Sequence, residues 1–289
     1  VGIKYLISNL TINGNLNVND YRPENSVLEC GAHNLIVNGN TFITTSGIGF
    51  SKSGVGNLIF IGLLTINANT IFSSSITNIE LRGGSNLWSF GGAMIFNCPV
   101  NFTTNSQTIS HNGAIYNAAI TIIGAITVTN TTGGTIINGG IDGTDAGSTY
   151  NNNGVTWLGL NDTPMSTGIF NYMNTSTSTL GYTFNGDYTL PYNRYAGLVI
   201  EGTGTKTLKG NTTIEYNIAG NNLGEGSKLD CLTYDLTIMG TTFWGGLGGI
   251  LSTSGTLIFG GFVTFNNSNM SYSSETTLEF RGGFTMFPN

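Results

Sequence analysis

Apolar positions along this chain recur every second residue, in short bursts separated by three-residue breaks. The phrase φ-x-φ-x-x-x-φ-x-φ, with φ apolar, runs through Leu10, Ile12, Leu16 and Val18, then Leu58, Phe60, Leu64 and Ile66, then Met94, Phe96, Val100 and Phe102. It returns at Ile120, Ile122, Ile126 and Val128, at Tyr182, Phe184, Tyr188 and Leu190, and at Leu257, Phe259, Val263 and Phe265. Weaker versions begin at Leu35 and Leu236, where Thr41 and Thr242 take the third apolar slot. A period of two predicts strands, and breaks such as Asn13-Gly14-Asn15 supply residues that turn a corner at low steric cost. The three-and-four spacing of an amphipathic helix is missing. Phrases start at 10, 35, 58, 94 and 120, in steps of 25, 23, 36 and 26. A step near two dozen suits one turn of a solenoid with three strands and three corners. The expected fold is all-β, a right-handed parallel β-helix (β-solenoid) of roughly 12 coils with about 24 residues per coil. The long step is read as an extra strand pair around Ile79–Trp88. Leu58, Phe60, Leu64, Ile66, Phe96, Ile122, Phe184, Phe259 and Phe265 are the expected structural core. An antiparallel sandwich is the rival, but Asn, Thr and Gly returning at equivalent corners favour stacked coils.

A longer repeat overlies the coil. Residues 58–84 reappear at 257–283 without a gap, offset by 199, with thirteen of 27 positions identical and a shared E-φ-R-G-G at Glu80–Gly84 and Glu279–Gly283. With a gap of two, Cys30, Leu35, Gly39, Thr41 and Phe42 fall on Cys231, Leu236, Gly240, Thr242 and Phe243. The chain thus divides into a first tandem unit over 1–196 and a partial second unit over 197–289. Such a division predicts a piece of a longer array. Within the first unit, 131–181 breaks the pattern. It reads as irregular or decorated coils, with Trp157, Phe170 and Tyr172 as a possible ligand surface.

Composition narrows the class. Only 8% of the 289 residues are charged while 39% are apolar, so polarity rests on Asn, Thr, Ser and Gly rather than on disorder-promoting charge. The net charge of −6 comes from 15 acids and 9 bases spread thinly, which argues against nucleic acid as a partner. No apolar run approaches the ~18 residues of a membrane-spanning helix. The first residue is Val1, which suits a processed chain or one cut from a longer protein.

The acids, histidines and cysteines are the candidates for chemistry. Asp142 and Asp145 in IDGTDAG could share a calcium ion but lack further acids, and solvated corner aspartates are the better reading. Glu201, Glu215 and Glu225 stand alone. Glu80 with Arg82, and Glu279 with Arg281, read as duplicated surface ion pairs beside a Gly corner. His33 and His111 neighbour no G-x-S-x-G, and no CxxC accompanies Cys30, Cys98 and Cys231. The cysteines read as small buried hydrophobes, with a Cys30–Cys98 disulfide conceivable only if successive coils stack them. No catalytic residue, metal site or cofactor is expected, and the chain reads as not an enzyme.

The segments GLVIEGTGTKTLKGNTTIEYN (197–217), LDCLTYDLTIMGTTF (229–243), LTINGNLNVN (10–19) and LIVNGNTF (35–42) resemble β-helical repeat regions of large secreted surface adhesins of Bacteroidota. More distantly the chain is similar to filamentous-haemagglutinin-like passenger domains. The resemblance implies an extracellular, cell-surface, non-enzymatic module. It would form a rigid rod that self-associates or continues through its solenoid ends, with a host or environmental glycan or surface as its ligand. A polysaccharide-binding or polysaccharide-degrading β-helix, tailspike- or lyase-like, is the alternative. An ice-binding solenoid is disfavoured, because Thr alternates irregularly with Asn.

Overall fold

The computed structural model describes residues 3–18, 26–44, 48–51, 56–67, 70–88, 94–131, 134–159, 164–175, 178–183, 185–222 and 227–287. Among these the chain forms 39 strands and no helix. It is a β-solenoid of about 12 turns. Each strand pairs in parallel with the strand one turn later, so backbone groups that would be orphaned along one turn are satisfied by the next. The chain resolves into two compact units, Val1–Thr156 with Pro164–Asn171, and Trp157–Thr163 with Tyr172–Asn289. This division by contact falls earlier than the sequence repeat boundary at 196.

In the first unit, three strands make a turn, for example Asn57–Phe60, Leu64–Ile66 and Thr70–Phe72, with Asn78–Leu81 beginning the next. Leu58 lies opposite Ile79, Ile79 opposite Val100, Val100 opposite Ile120 and Ile120 opposite Ile141. The turns are therefore about 21 residues apart, shorter than the expected 24. The opening steps of 25 and 23 are true turns, Leu10 opposite Leu35 and Leu35 opposite Leu58, but later turns are shorter and the later steps compare different corners. The φ-x-φ-x-x-x-φ-x-φ phrase marks any strand–corner–strand, and a turn has three corners. The phrase at Leu58 rounds a different corner from that at Met94, which begins the strand Met94–Phe96 in register with Thr70–Phe72. Asn78–Leu81 and Ser85–Trp88 belong to an ordinary turn, not an inserted pair.

Inward positions stack in columns. Phe50, Phe72, Phe96 and Tyr116 lie face to face with centroids 5.0, 4.8 and 4.7 Å apart, the spacing of adjacent strands. Leu58, Phe60, Leu64, Ile66, Phe96, Ile122, Phe259 and Phe265 are all buried. Phe184 lies outside the described residues. Thr41 and Thr242, in apolar slots, are buried with hydroxyls that meet no hydrogen-bond partner among the described residues.

At one corner glycine is required by proximity. A Cβ on Gly39 would sit 2.6 Å from the carbonyl oxygen of Gly14, one on Gly62 2.5 Å from that of Gly39, and one on Gly83 2.7 Å from that of Gly62. The second unit repeats the column, with Gly261 over Gly240 and Gly282 over Gly261. Other corners are tied by asparagine: the Asn117 amide donates to Asn97 Oδ1 at 2.8 Å and the Asn138 amide to Asn117 Oδ1 at 2.9 Å. The 199-residue repeat builds matching strands, Asn57–Phe60 to Asn78–Leu81 in the first unit and Gly255–Phe259 to Thr276–Phe280 in the second.

The expected irregularity of 131–181 begins later than its composition suggests. Thr135–Ile137, Ile141–Gly143 and Thr149–Asn152 form a regular turn. Their inward sites hold Thr135 and Asn152 beside Ile137, Ile141 and Tyr150, with Ser148 buried at the corner before Thr149. Small polar side chains fill the core there, which hides the turn from an apolar pattern.

Candidate functional site

The three aromatic residues expected at a ligand surface part company. Phe170, on the strand Ile169–Asn171, is buried in the first unit and stacks on Tyr150 at 5.3 Å with planes 3° apart. It is a core residue, placed inward by the strand alternation that puts Tyr150 opposite it. Trp157 is half-buried in the second unit with its ring laid on Gly181, where a Cβ would come within 2.2 Å of ring carbon.

Tyr172 is half-buried and joins a cluster that sequence reasoning missed. Its ring stacks on Tyr192 at 3.9 Å and tilts against Tyr195 at 5.9 Å, while Tyr182 meets Tyr188 at 5.7 Å. Tyr182 and Tyr195 are fully enclosed, and the Tyr192 backbone N–H donates to the Tyr195 hydroxyl at 3.3 Å. Burial raises the phenols of Tyr172, Tyr192 and Tyr195, so they stay neutral donors at ordinary pH, with Arg194 opposing the shift at Tyr172. Arg194 in turn pairs with Glu215 on the adjacent coil. The available signal was tyrosine density over 182–195, where four fall within fourteen residues. The result is an aromatic corner with a charged pair beside it, able to meet a neutral polar ligand.

A Ser–His contact also forms, deep in the first unit. His111 Nε2 lies 2.7 Å from Ser85 Oγ, and Nδ1 lies 3.1 Å from the Tyr116 hydroxyl. Ser85 and His111 are enclosed, so a substrate would meet neither. Burial pushes the imidazole down to about 3, keeping it neutral. Further along the core, Tyr150, Thr156 and Asn152 continue a hydrogen-bonded polar seam at 3.2 and 3.1 Å. Lys206, buried on the strand Thr205–Thr207, is comparable. Its ammonium donates to the carbonyls of Gly186 at 2.8 Å and Thr203 at 2.7 Å. Burial lowers its pKa against the pull of Asp187.

The acids act within corners. Asp142 accepts from the N–H groups of Gly143 and Thr167 at 2.9 and 2.7 Å and from the Ser166 hydroxyl at 2.6 Å. Burial works to raise its carboxyl, but those three donors outweigh it and hold the pKa below the ordinary value. Asp145 accepts from Gly147 N–H at 2.7 Å. Glu80 pairs with Arg82 at 2.8 Å and Glu279 with Arg281 at 2.7 Å. Among the described residues no three His, Cys, Asp or Glu side chains gather as metal ligands. Cys30, Cys98 and Cys231 are buried and none forms a disulfide. Burial raises the Cys98 thiol to about 12.

Large apolar side chains are exposed on several coils, among them Met239 and Leu247. In the second unit Phe280 is 39%, Phe284 45% and Phe287 53% exposed. In the first unit Ile3, Tyr5, Ile7 and Leu10 are exposed. No family model, curated protein or solved structure matches the chain.

Proposed function

We propose that this chain is a structural module of an extracellular surface adhesin or filament. Its stacked coils form a stiff support that continues axially with further coils and carries or displays a binding part. The observation that carries this reading is the parallel stacking of turn on turn within each unit, in which the repeated phrase builds matching strand pairs, Asn57–Phe60 with Asn78–Leu81 and Gly255–Phe259 with Thr276–Phe280. Asparagine-tied corners and few charges suit a hydrated outer surface, and the enclosure of His111 supports leaving catalysis out of the role. The test is location. Antibodies against the chain should label intact cells of its source, and external protease should remove the label; labelling only after lysis would refute a surface role.

A second reading, polysaccharide binding, is favoured by the corner of Tyr172, Tyr192 and Arg194. Aromatic faces beside hydrogen-bonding groups are suited to sugar rings. A glycan array should then show a ligand whose binding falls at least ~10-fold in Tyr172→Ala, the scale of one lost aromatic contact. Absence of any bound glycan would end this reading.

A further inference from the structure

We propose that Tyr172 and Tyr192 form an oxidative cross-linking site, where a haem peroxidase with hydrogen peroxide joins the two rings through a carbon–carbon bond into an intramolecular dityrosine bridge. The bridge depends on neither reading above and adds a covalent tie within the second unit. The two residues stand twenty apart in sequence, close to one turn, so the bridge would close a short loop and restrain the unfolded chain.

The geometry singles out this pair. Its ring centroids are 3.9 Å apart with planes 19° from parallel, the shortest ring separation among the described residues. Every other face-to-face stack among those residues contains a phenylalanine, as in Phe96–Tyr116 and Tyr150–Phe170, so no second phenol is there to couple. Tyr116 and Tyr150 are also enclosed, whereas Tyr172 and Tyr192 are half-buried and open to an oxidant. Tyr195 stands beside both rings at 5.9 and 6.0 Å but is tilted by 53° and 71°, so it does not lie flat against either. The Tyr172 and Tyr192 hydroxyls are near enough to interact electrostatically, and burial keeps both phenols neutral, each with a proton to lose on oxidation.

The peroxidase removes one electron from each phenol, and each phenol gives its proton to water. Two phenoxyl radicals result, with the unpaired spin shared between the oxygen and the ortho carbons of each ring. One ortho carbon of Tyr172 and one of Tyr192 form a single carbon–carbon bond. Each then passes its hydrogen through water to its own ring oxygen, which restores both phenols. Hydrogen peroxide takes up the two electrons and two protons and leaves as two waters. Rings already held in contact make the bond-forming step unimolecular, which favours it over coupling between chains.

The test oxidises the folded 289-residue chain at high dilution with hydrogen peroxide and a haem peroxidase. The monomer should lose two hydrogens in mass, gain dityrosine fluorescence and release, on proteolysis, a linked pair of peptides carrying Tyr172 and Tyr192. Tyr172→Phe and Tyr192→Phe each keep the stacked ring and should keep the native circular dichroism, yet each should lower the intramolecular yield at least ~10-fold, because the oriented partner is gone. Tyr216→Phe, at an exposed tyrosine of the same unit, should leave that yield unchanged. A wild-type monomer that stays unlinked, bridges found only between chains, or an intramolecular yield that survives both substitutions would overturn the proposal. Tyr172→Phe retains the ring face a sugar would stack on, so loss of the bridge is read separately from loss of glycan binding.

Discussion

Asn78–Leu81 and Thr276–Phe280 hold equivalent places in the 199-residue repeat, and both lead into Arg-Gly-Gly, yet they live in different surroundings. In the first unit Ile79 and Leu81 are wholly buried, because Val100–Phe102 lies on them. In the second unit Leu278 is half-buried and Phe280 exposed, with a strand paired on one side. The ion pairs follow suit. Glu80 accepts from Arg82 and from the Thr103 hydroxyl of the next turn at 2.7 Å, whereas Glu279 accepts from Arg281 of its own coil. The sequence phrase specifies the shape of a coil, and the following coil supplies its burial.

Core truncation separates the two surroundings most strongly. Phe96→Ala, inside the Phe50–Tyr116 stack, should lower stability by about 3–5 kcal/mol through the cavity it leaves. Phe280→Ala, on the outer coil, should cost under ~1.5 kcal/mol because water already reaches the ring. Equal losses in denaturant unfolding would erase the distinction.

Acid should act next on the enclosed coils. His111 is neutral in the fold, with its pKa down at about 3, and charges in the unfolded chain below the ordinary 6.5. The unfolded state therefore binds the extra proton between those values, so stability falls as pH drops. The loss should be about 2–3 kcal/mol between pH 6.5 and 4.5. His111→Gln should flatten this slope; an unchanged slope would show that the imidazole is not what titrates.

The glycine column sharpens the comparison by ignoring exposure. In both units the obstructing atom lies on the preceding coil, so Gly62→Ala and Gly282→Ala should each cost about 1–3 kcal/mol by overcrowding. A neutral Gly282→Ala with a costly Gly62→Ala would mean that outer corners relax freely.

The strand periodicity, the parallel solenoid and the expected core at Leu58, Phe60, Leu64, Ile66 and Phe96 were legible, because period-two alternation maps directly onto inward and outward faces. Turn length was legible only roughly, since one phrase serves three corners. The turn at Thr135–Asn152 was hidden by Thr135 and Asn152 in inward sites, and Phe170 looked like surface because its stacking partner Tyr150 lies a turn earlier. The Tyr172–Tyr192 stack and the Ser85–His111 contact depend on neighbours about twenty residues or more apart, which periodicity names by position but not by chemistry.

The smallest effect concerns the duplicated ion pair. Burial works to raise the Glu80 carboxyl, but hydrogen bonds from Arg82 and Thr103, with the Arg82 charge, outweigh it and leave the pKa below its ordinary 4.5. Its contribution is thus present above that value and lost as pH falls through the lower folded one. Glu80→Gln should cost roughly 0.5 kcal/mol at neutral pH, the scale of a partly exposed pair. Glu279→Gln should leave unfolding unchanged, and a larger effect there than at Glu80 would contradict the surroundings described above.

The most direct measurement is hydrogen exchange at the paired copies, followed across protein concentration. Where the chain is monomeric by mass, amides of 78–81 should exchange slowly and those of 276–280 much faster, as expected for a strand covered on both sides against one covered on a single side. Equal protection of the two segments in the monomer would contradict the claim that the next coil, rather than the phrase itself, supplies burial.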